Sequence, residues 1–116
     1  MEGKYINLVT FKKDGNPIET PIWFVEKDGK LYVSTKQTRY KIKRINNNSN
    51  VKIAPCSFFG KIKGAYINGT ARVLPDGTYK DIENLLLKKY FLARFMGIGK
   101  EKKGDKRQRI IEIMID

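Results

Sequence analysis

A run of hydroxyl and basic side chains at the end of a predicted strand is the part of this sequence best suited to chemistry. Ser34 and Thr35 close the segment LYVST, and five cations without an acid follow within the next nine residues. The first amides of a helix lack intrahelical partners and carry partial positive charge, so they attract anions. Two hydroxyls with Lys41 and either Lys43 or Arg44 therefore predict a phosphate site. The spacing is not that of a P-loop, and a solvated basic helix is the alternative interpretation.

The segment TPIWF is a second candidate, because a proline in a strand removes one N–H from the ladder. Neighbouring backbone groups then become available to a ligand. Thr20, Pro21 and Trp23 lie in this segment, and the Trp23 indole could flank a flat ring. The alternative interpretation of Trp23 is a core or interface side chain.

The segment APCSFFGKIKG is the third candidate. Pro55 again indicates a strand edge or a bulge that faces a ligand. Cys56 beside it is predicted to be a packed thiol, because the chain has no histidine that could stabilise a thiolate.

The absence of histidine from the 116 residues also limits the chemistry. It excludes Ser-His-Asp and Cys-His catalysis and most zinc enzymes. No carboxylate pair suggests a general acid and base, so we assign no catalytic residue and no metal ligand. An enzyme of this composition is expected to take its chemistry from a bound cofactor.

The charge balance predicts an anionic partner. With 24 basic and 12 acidic residues the net charge is +12, and six cations lie between residues 100 and 109. Such a balance attracts nucleic acid, anionic membranes or a phosphorylated small molecule. No membrane partner is predicted, and nucleic acid is a remote alternative, because the cations do not alternate with aromatic residues in a known module. Generally solvated lysines would give the same composition.

The elements that must position these residues are mostly strands. KYINLVTF, PIETPIWFVE, LYVST, VKIAPCSFF, AYINGTARVLP and RIIEIMID read as six strands, with hairpin turns at Asp14-Gly15 and Asp28-Gly29. A short amphipathic helix follows LYVST, because Ile42 and Ile45 are three residues apart. A longer helix covers about residues 78–96, and its inner face consists of Ile82, Leu85, Leu86, Tyr90, Leu92 and Phe95. Gly69 marks a bulge or close approach. The sequence predicts a single domain over residues 1–116, an all-β-dominated six-stranded antiparallel barrel with helical cover. The interior of so small a barrel is filled by side chains, so a large ligand must bind outside it or between subunits.

The predicted location is the cytoplasm. The single cysteine allows no internal disulfide and suits a reducing compartment. The first residues lack the layout of a signal peptide, and no apolar run approaches the roughly 20 residues that cross a bilayer.

The order and spacing of these motifs resemble a known family. LVTFKKDGNPIETPIWF, LYVST followed by KIKRI, VKIAPCSFFGKIKG and GTARVL resemble the flavin- and deazaflavin-binding split-barrel proteins, the pyridoxamine 5′-phosphate oxidase-like superfamily. The similarity covers nearly the whole chain and is strongest to the branch of F420-dependent oxidoreductases. One departure is Tyr40, where such proteins often have a small residue before the lysine.

The resemblance implies an FMN-binding split barrel that forms a homodimer, with cofactor sites at the interface. It implies that Thr20, Pro21 and Trp23 lie along the cofactor ring, and that Pro55 and Cys56 approach the same pocket. The ribityl-phosphate end would be held by Ser34, Thr35, Lys41 and Lys43.

Two functions follow from this resemblance. The first is an oxidoreductase that transfers a hydride between F420 or FMN and a small organic substrate. The second is a cofactor-binding or carrier protein of the same fold without turnover, because no residue for a particular substrate can be recognised.

Overall fold

The structure is a computed structural model and describes residues 3–36, 40–75, 77, 79–90 and 108–116. In these ranges it contains seven strands and two helices. The strands are β1 (Tyr5–Phe11), β2 (Pro17–Trp23), β3 (Val25–Lys27), β4 (Lys30–Lys36), β5 (Asn50–Cys56), β6 (Ile67–Val73) and β7 (Gln108–Ile115). The helices are α1 (Tyr40–Asn47) and α2 (Lys80–Lys89).

Tight turns join the first strands as the sequence predicts. Gly15, between β1 and β2, has a φ of 88°. Asp28 and Gly29, between β3 and β4, have φ values of 53° and 77°. Two consecutive positive φ angles are required by the hairpin turn that best matches the twist of the flanking strands, and Asp-Gly accommodates them well.

The strands form one antiparallel sheet in the order β2-β1-β5-β6-β7-β4-β3. Only Phe24 separates β2 from β3 along the chain, although these two strands stand at opposite ends of the sheet. The two ends must therefore come together, so the sheet curls into a barrel that is split between them. This confirms the predicted antiparallel split barrel.

The strand count is corrected from six to seven. The segment PIETPIWFVE, predicted as one strand, is divided at Phe24 into β2, which pairs with β1, and β3, which pairs with β4. Its prolines Pro17 and Pro21 lie in β2, at one end of the sheet order, where a missing N–H disturbs no second ladder.

At Phe24 the side chains of Lys89 and Tyr90, at the end of α2, provide hydrogen bonds in place of a neighbouring strand. The Tyr90 hydroxyl accepts a hydrogen bond from the Phe24 N–H at 2.9 Å. It can donate to the carbonyl of Lys4 at 2.6 Å or of Phe24 at 2.8 Å. The Lys89 ammonium donates to the Phe24 carbonyl at 2.8 Å and lies 3.6 Å from the centre of the Phe24 ring. Both the backbone N–H and the backbone carbonyl of the buried Phe24 are thus hydrogen-bonded at the strand junction.

The barrel interior is filled, as predicted. Its core side chains are Ile6, Leu8, Phe24, Leu31, Val33, Ile45, Val51, Ile53, Ala71, Ile111 and Ile113. A second cluster consists of Val25, Tyr32, Leu74, Ile82 and Ile110, with Tyr79, Leu85 and Leu86 packed against it. Ile82, Leu85 and Leu86 were predicted on the inner face of the long helix. Residues 91–96 of that predicted helix lie outside the described residues.

Two further sequence predictions are confirmed. Ile42 and Ile45 are the buried residues of α1, which fits a short amphipathic helix against the barrel. Gly69 is a close-approach site, because a Cβ atom there would lie 2.9 Å from the Met114 carbonyl oxygen. In the described residues no helix is long and apolar enough to span a bilayer.

We expect the protein to lose stability at alkaline pH because the buried Tyr90 hydroxyl ionises. Burial raises its pKa to about 12, against the opposing effect of the Phe24 backbone hydrogen bond. Because tyrosine in the unfolded chain ionises near pH 10, the stabilisation is complete below pH 10 and is lost as pH rises through about 12. The expected loss is at most about 3 kcal/mol, since each of the two pKa units corresponds to about 1.4 kcal/mol.

The matched variant is Tyr90→Phe, which cannot ionise at this position. At pH 8 it should be less stable than the parent by about 1–3 kcal/mol, because the Phe24 amide loses its acceptor. Urea unfolding at several pH values should show this difference shrinking between pH 10 and 12. A difference that stays constant over that range would contradict the assignment.

Candidate functional site

The candidate functional site lies along a split in the barrel between β2 and β4. From Phe24 the strands diverge: β2 pairs with β1 along its whole length, whereas β4 pairs with β3 only over Lys30–Tyr32. In the described part of the chain the remainder of β4 therefore has a ladder partner on one side only, which is β7. Two of the three predicted candidate segments lie along the two edges of this split.

Thr35 and Lys41 come together at the β4 side. Thr35 is 6% exposed and sits near the end of β4, and the Lys41 ammonium on the first turn of α1 donates to its hydroxyl at 3.1 Å. The first turn of α1 contains no acidic residue. A buried hydroxyl and an ammonium thus meet beside the start of α1, and this donor set suits an oxyanion.

The other predicted phosphate residues point elsewhere. Adjacent residues of a strand face opposite sides, so Ser34 lies on the face of Tyr32 while Thr35 lies on the face of Val33. Lys43 is exposed and stands about half a turn around α1 from Lys41. Arg44 donates from Nε to the Thr10 hydroxyl at 2.7 Å and attaches α1 to β1.

On the β2 side, Pro21 and Trp23 share one face and Thr20 lies on the other. The Trp23 ring stacks on Tyr90, with 4.4 Å between ring centres and an interplanar angle of 9°. One face of the indole is therefore covered by the protein's own tyrosine. Trp23 is half-buried, so its position combines a packing role with partial exposure beside the split.

Pro55 and Cys56 lie under the segment of residues 57–66, which folds back over β5. The Lys63 amide donates to the Pro55 carbonyl at 2.8 Å, and the β5–β6 ladder ends at Ile53. Pro55 therefore has no strand beside it on that side in the described structure. Cys56 is 5% exposed, and burial raises the pKa of its thiol against the opposing charge of Lys63. The thiol is packed and is not activated as a nucleophile, as predicted.

The same segment contacts the β2 side of the site. A Cβ atom placed on Gly60 would lie 3.2 Å from the ring of Pro21, and one on Gly64 would lie 2.8 Å from the ring of Pro55. The backbone of residues 57–66 thus approaches both prolines closely. This brings the second and third candidate segments next to each other. By the ladder register, Pro55 is on the face of Ile6, whereas Pro21 and Cys56 are on the face of Asn7.

A polar triad that sequence reasoning missed lies on that face. The buried Asn7 amide donates to Glu19 at 2.8 Å and to the Tyr66 hydroxyl at 2.9 Å, and Tyr66 donates to Glu19 at 2.9 Å. Desolvation and the bond to Glu19 raise the pKa of Tyr66, with Asn7 opposing. The one available signal was a polar Asn7 inside the apolar strand KYINLVTF.

Exposed apolar side chains border the same face. Phe58 is 65% exposed and Phe59 is 91% exposed, and their rings contact edge to face at 5.1 Å between centres. Phe58 also contacts Tyr5 edge to face at 5.7 Å. Ile62 and Tyr66 are exposed by 37% and 41%. We call Phe58, Phe59, Ile62 and Tyr66 the aromatic patch.

Two grooves among the described residues lie away from these side chains. One of about 410 Å³ is lined by Phe11, Asn48, Lys52 and neighbouring residues, and another of about 320 Å³ by Lys12, Lys13 and Asn47. Neither contains any of the nine predicted site residues. No group of histidine, cysteine, aspartate or glutamate among the described residues could hold a metal ion.

The chain is a split β-barrel protein, because its antiparallel sheet curls until its two ends meet at a split. A strand-to-helix junction that suits an anion lies beside this split. The family model described as pyridoxamine 5′-phosphate oxidase matches residues 2–116, and the chain belongs to this family. The resemblance seen in the sequence is thereby confirmed at the level of the family. A search of curated protein sequences finds no match.

Solved structures with the same fold come from proteins of different activity. A protein described as an F420 reductase is 22% identical, with a TM-score of 0.71 over 97% of this chain and 86% of its own. HutZ, a haem storage protein from Vibrio cholerae, is 12% identical, with a TM-score of 0.72 over 97% and 82%. An FAD-binding protein from Mesorhizobium loti is 19% identical, with a TM-score of 0.64 over 98% and 80%. At these identities the similarity establishes the fold alone.

Proposed function

We propose that this protein is an oxidoreductase that binds F420 or FMN along the split and transfers a hydride between that cofactor and a small organic substrate. The observation that carries the proposal is the junction of β4 and α1, where Lys41 and the buried Thr35 hydroxyl meet. Membership of the pyridoxamine 5′-phosphate oxidase family and a fold shared with an F420 reductase and an FAD-binding protein support it.

The chain's own residues would hold and orient the cofactor. Thr35 and Lys41 bind its phosphate. The half-buried Trp23 and the exposed Pro21 border its ring from the β2 side. When bound, the tricyclic ring supplies the hydride. Orientation and exclusion of water then matter more than an acid or a base, which suits a chain with no histidine.

The surplus of positive charge favours F420 over FMN. F420 carries a phosphodiester and an acidic tail, so it bears more negative charge than FMN. The basic segment of residues 100–107 lies outside the described residues.

We further propose that the working form is a homodimer. Neither of the two grooves given above is lined by any of the nine predicted residues. The aromatic patch lies next to Pro21 and Cys56, at the face where a second subunit could complete a pocket. Light scattering after gel filtration should give twice the mass of one chain at micromolar concentration. A monomer that still binds the cofactor tightly would contradict this proposal.

Cofactor binding tests the main proposal directly. Purified protein is titrated with FMN and with F420, whose absorption spectra differ, and the two affinities are compared. We expect at least one cofactor to bind with micromolar affinity or better. Failure of both to bind would reject the proposal.

Turnover separates the enzyme from a second candidate, a cofactor carrier of the same fold. The carrier is supported by the haem storage protein among the structural neighbours. Protein with reduced cofactor is assayed against quinones, enones and biliverdin-like tetrapyrroles. Reoxidation accelerated by the protein supports the oxidoreductase, and binding without any acceleration supports the carrier.

A further inference from the structure

Arg109 at the start of β7 has a donor that the protein leaves unused. Its Nη2 donates to the Leu74 carbonyl at 2.8 Å. Its Nε is buried and has no hydrogen-bond partner. A buried donor without an acceptor costs about 1–3 kcal/mol, so such a group calls for an explanation.

The ladder places Arg109 beside the phosphate site. In the β4–β7 pair Arg109 is directly opposite Thr35, so both side chains are on the same face of the sheet, with Cβ atoms roughly 5 Å apart. Lys41 reaches the same Thr35 hydroxyl at 3.1 Å from the other direction. Thr35 therefore has the Lys41 ammonium at its hydroxyl and Arg109 as its ladder partner.

Arg109 also differs from the arginine on the neighbouring strand. Arg72 of β6 is paired with Glu112 at 3.2 Å on the outer face of the sheet. Among the described residues no carboxylate is paired with Arg109, whose one hydrogen bond goes to a carbonyl. The Arg109 guanidinium therefore carries a charge that no described carboxylate neutralises.

We infer that Arg109 is a third contact for the cofactor's phosphate, together with Thr35 and Lys41; this rests on the proposed function. Arginine offers five N–H donors in a planar fork that fits phosphate oxygens. An oxyanion beside Thr35 brings acceptors to that guanidinium. The phosphate site would thus join β4, α1 and β7, which are three separate parts of the sequence.

Ligands with and without the phosphate test this inference. Dissociation constants of FMN and riboflavin, which share the same ring, are measured for the parent and for Arg109→Gln. F420 and its deazariboflavin core, which lacks the phosphodiester, form the second pair. Arg72→Gln is the matched control, because it removes an arginine from the next strand without touching Thr35. Circular dichroism establishes that each variant is folded.

For whichever cofactor the parent binds, we expect Arg109→Gln to raise the dissociation constant of the phosphorylated ligand by about tenfold. The dissociation constant of its unphosphorylated counterpart should change by no more than about twofold. Arg72→Gln should alter neither. Should Arg109→Gln not fold, Arg109→Lys, which keeps the charge but loses the planar fork, is measured instead, and a selective loss of about threefold or more is expected.

The remaining outcomes overturn the inference in two distinguishable ways. Equal weakening of both ligands in a pair, or no weakening of either, would assign Arg109 a structural role while cofactor binding by the parent stands. A parent protein that binds neither FMN nor F420 would remove the proposed function and this inference together.

Discussion

Phe24→Ala should lower the free energy of unfolding by about 3–5 kcal/mol, which is a large part of the roughly 5–15 kcal/mol that holds a domain of this size together. Phe24 is fully buried in the barrel core and stands where β2 passes into β3. Alanine would leave a cavity at the junction of the two ends of the sheet. It would also remove the ring over which the Lys89 ammonium lies.

Urea unfolding monitored by circular dichroism, at one protein concentration for all variants, measures this effect. Phe24→Leu keeps most of the buried volume and should cost less than about 1.5 kcal/mol. Tyr40→Ala removes an aromatic ring that is 77% exposed and should stay within about 0.5 kcal/mol of the parent. Equal losses for Phe24→Ala and Tyr40→Ala would show that Phe24 is not part of a closed core.

Lys41→Ala should weaken cofactor binding roughly ten- to hundredfold. A charge-assisted hydrogen bond in a partly shielded site contributes about 1.5–3 kcal/mol, and each 1.4 kcal/mol is a factor of ten in affinity. Lys41 is half-buried and its ammonium already lies at the Thr35 hydroxyl. Its removal would leave the phosphate with a neutral donor at this position.

Lys43→Ala is the matched control for Lys41→Ala, since both lysines are on α1 and the Lys43 side chain is exposed. The charge of a solvated lysine is screened by salt, so Lys43→Ala should change cofactor affinity by no more than about fivefold. Fluorescence titration with FMN and F420 measures both variants. The assignment of Lys41 fails if its alanine variant is folded and binds both cofactors as tightly as the parent.

Local chemistry in the sequence was sufficient to predict most of the barrel. Asp-Gly pairs defined the hairpins, alternation defined the strands, and the spacing of Ile42 and Ile45 defined the inner face of α1. The division at Phe24 could not be predicted, because an apolar run such as IWFV does not reveal where its ladder partner changes. That change depends on Tyr90, whose hydroxyl binds a peptide 66 residues away along the chain.

The site was predicted less completely for the same reason. The strand-to-helix junction at Thr35 and Lys41 is local, so its residue types alone indicated an anion. Ser34 was grouped with Thr35, although strand alternation directs the two hydroxyls to opposite faces. Arg109 could not be associated with this junction, because the register between β4 and β7 is a property of the folded sheet. The stack of Trp23 on Tyr90 is equally non-local.

The pairing of β4 with β7 has a consequence for how the chain acquires its structure. The paired residues are between 72 and 84 positions apart along the chain, from Lys36 with Gln108 to Lys30 with Met114. During synthesis the first six strands leave the ribosome before β7. Until β7 is made, β4 and β6 therefore lack the strand that pairs with both of them. Ordering so long an intervening segment is entropically costly, and β-rich chains with such distant pairings fold on a timescale of about milliseconds to seconds. In that interval the edges of β4 and β6 are open to strands of other chains, which makes crowded expression the condition under which this protein is most prone to aggregate.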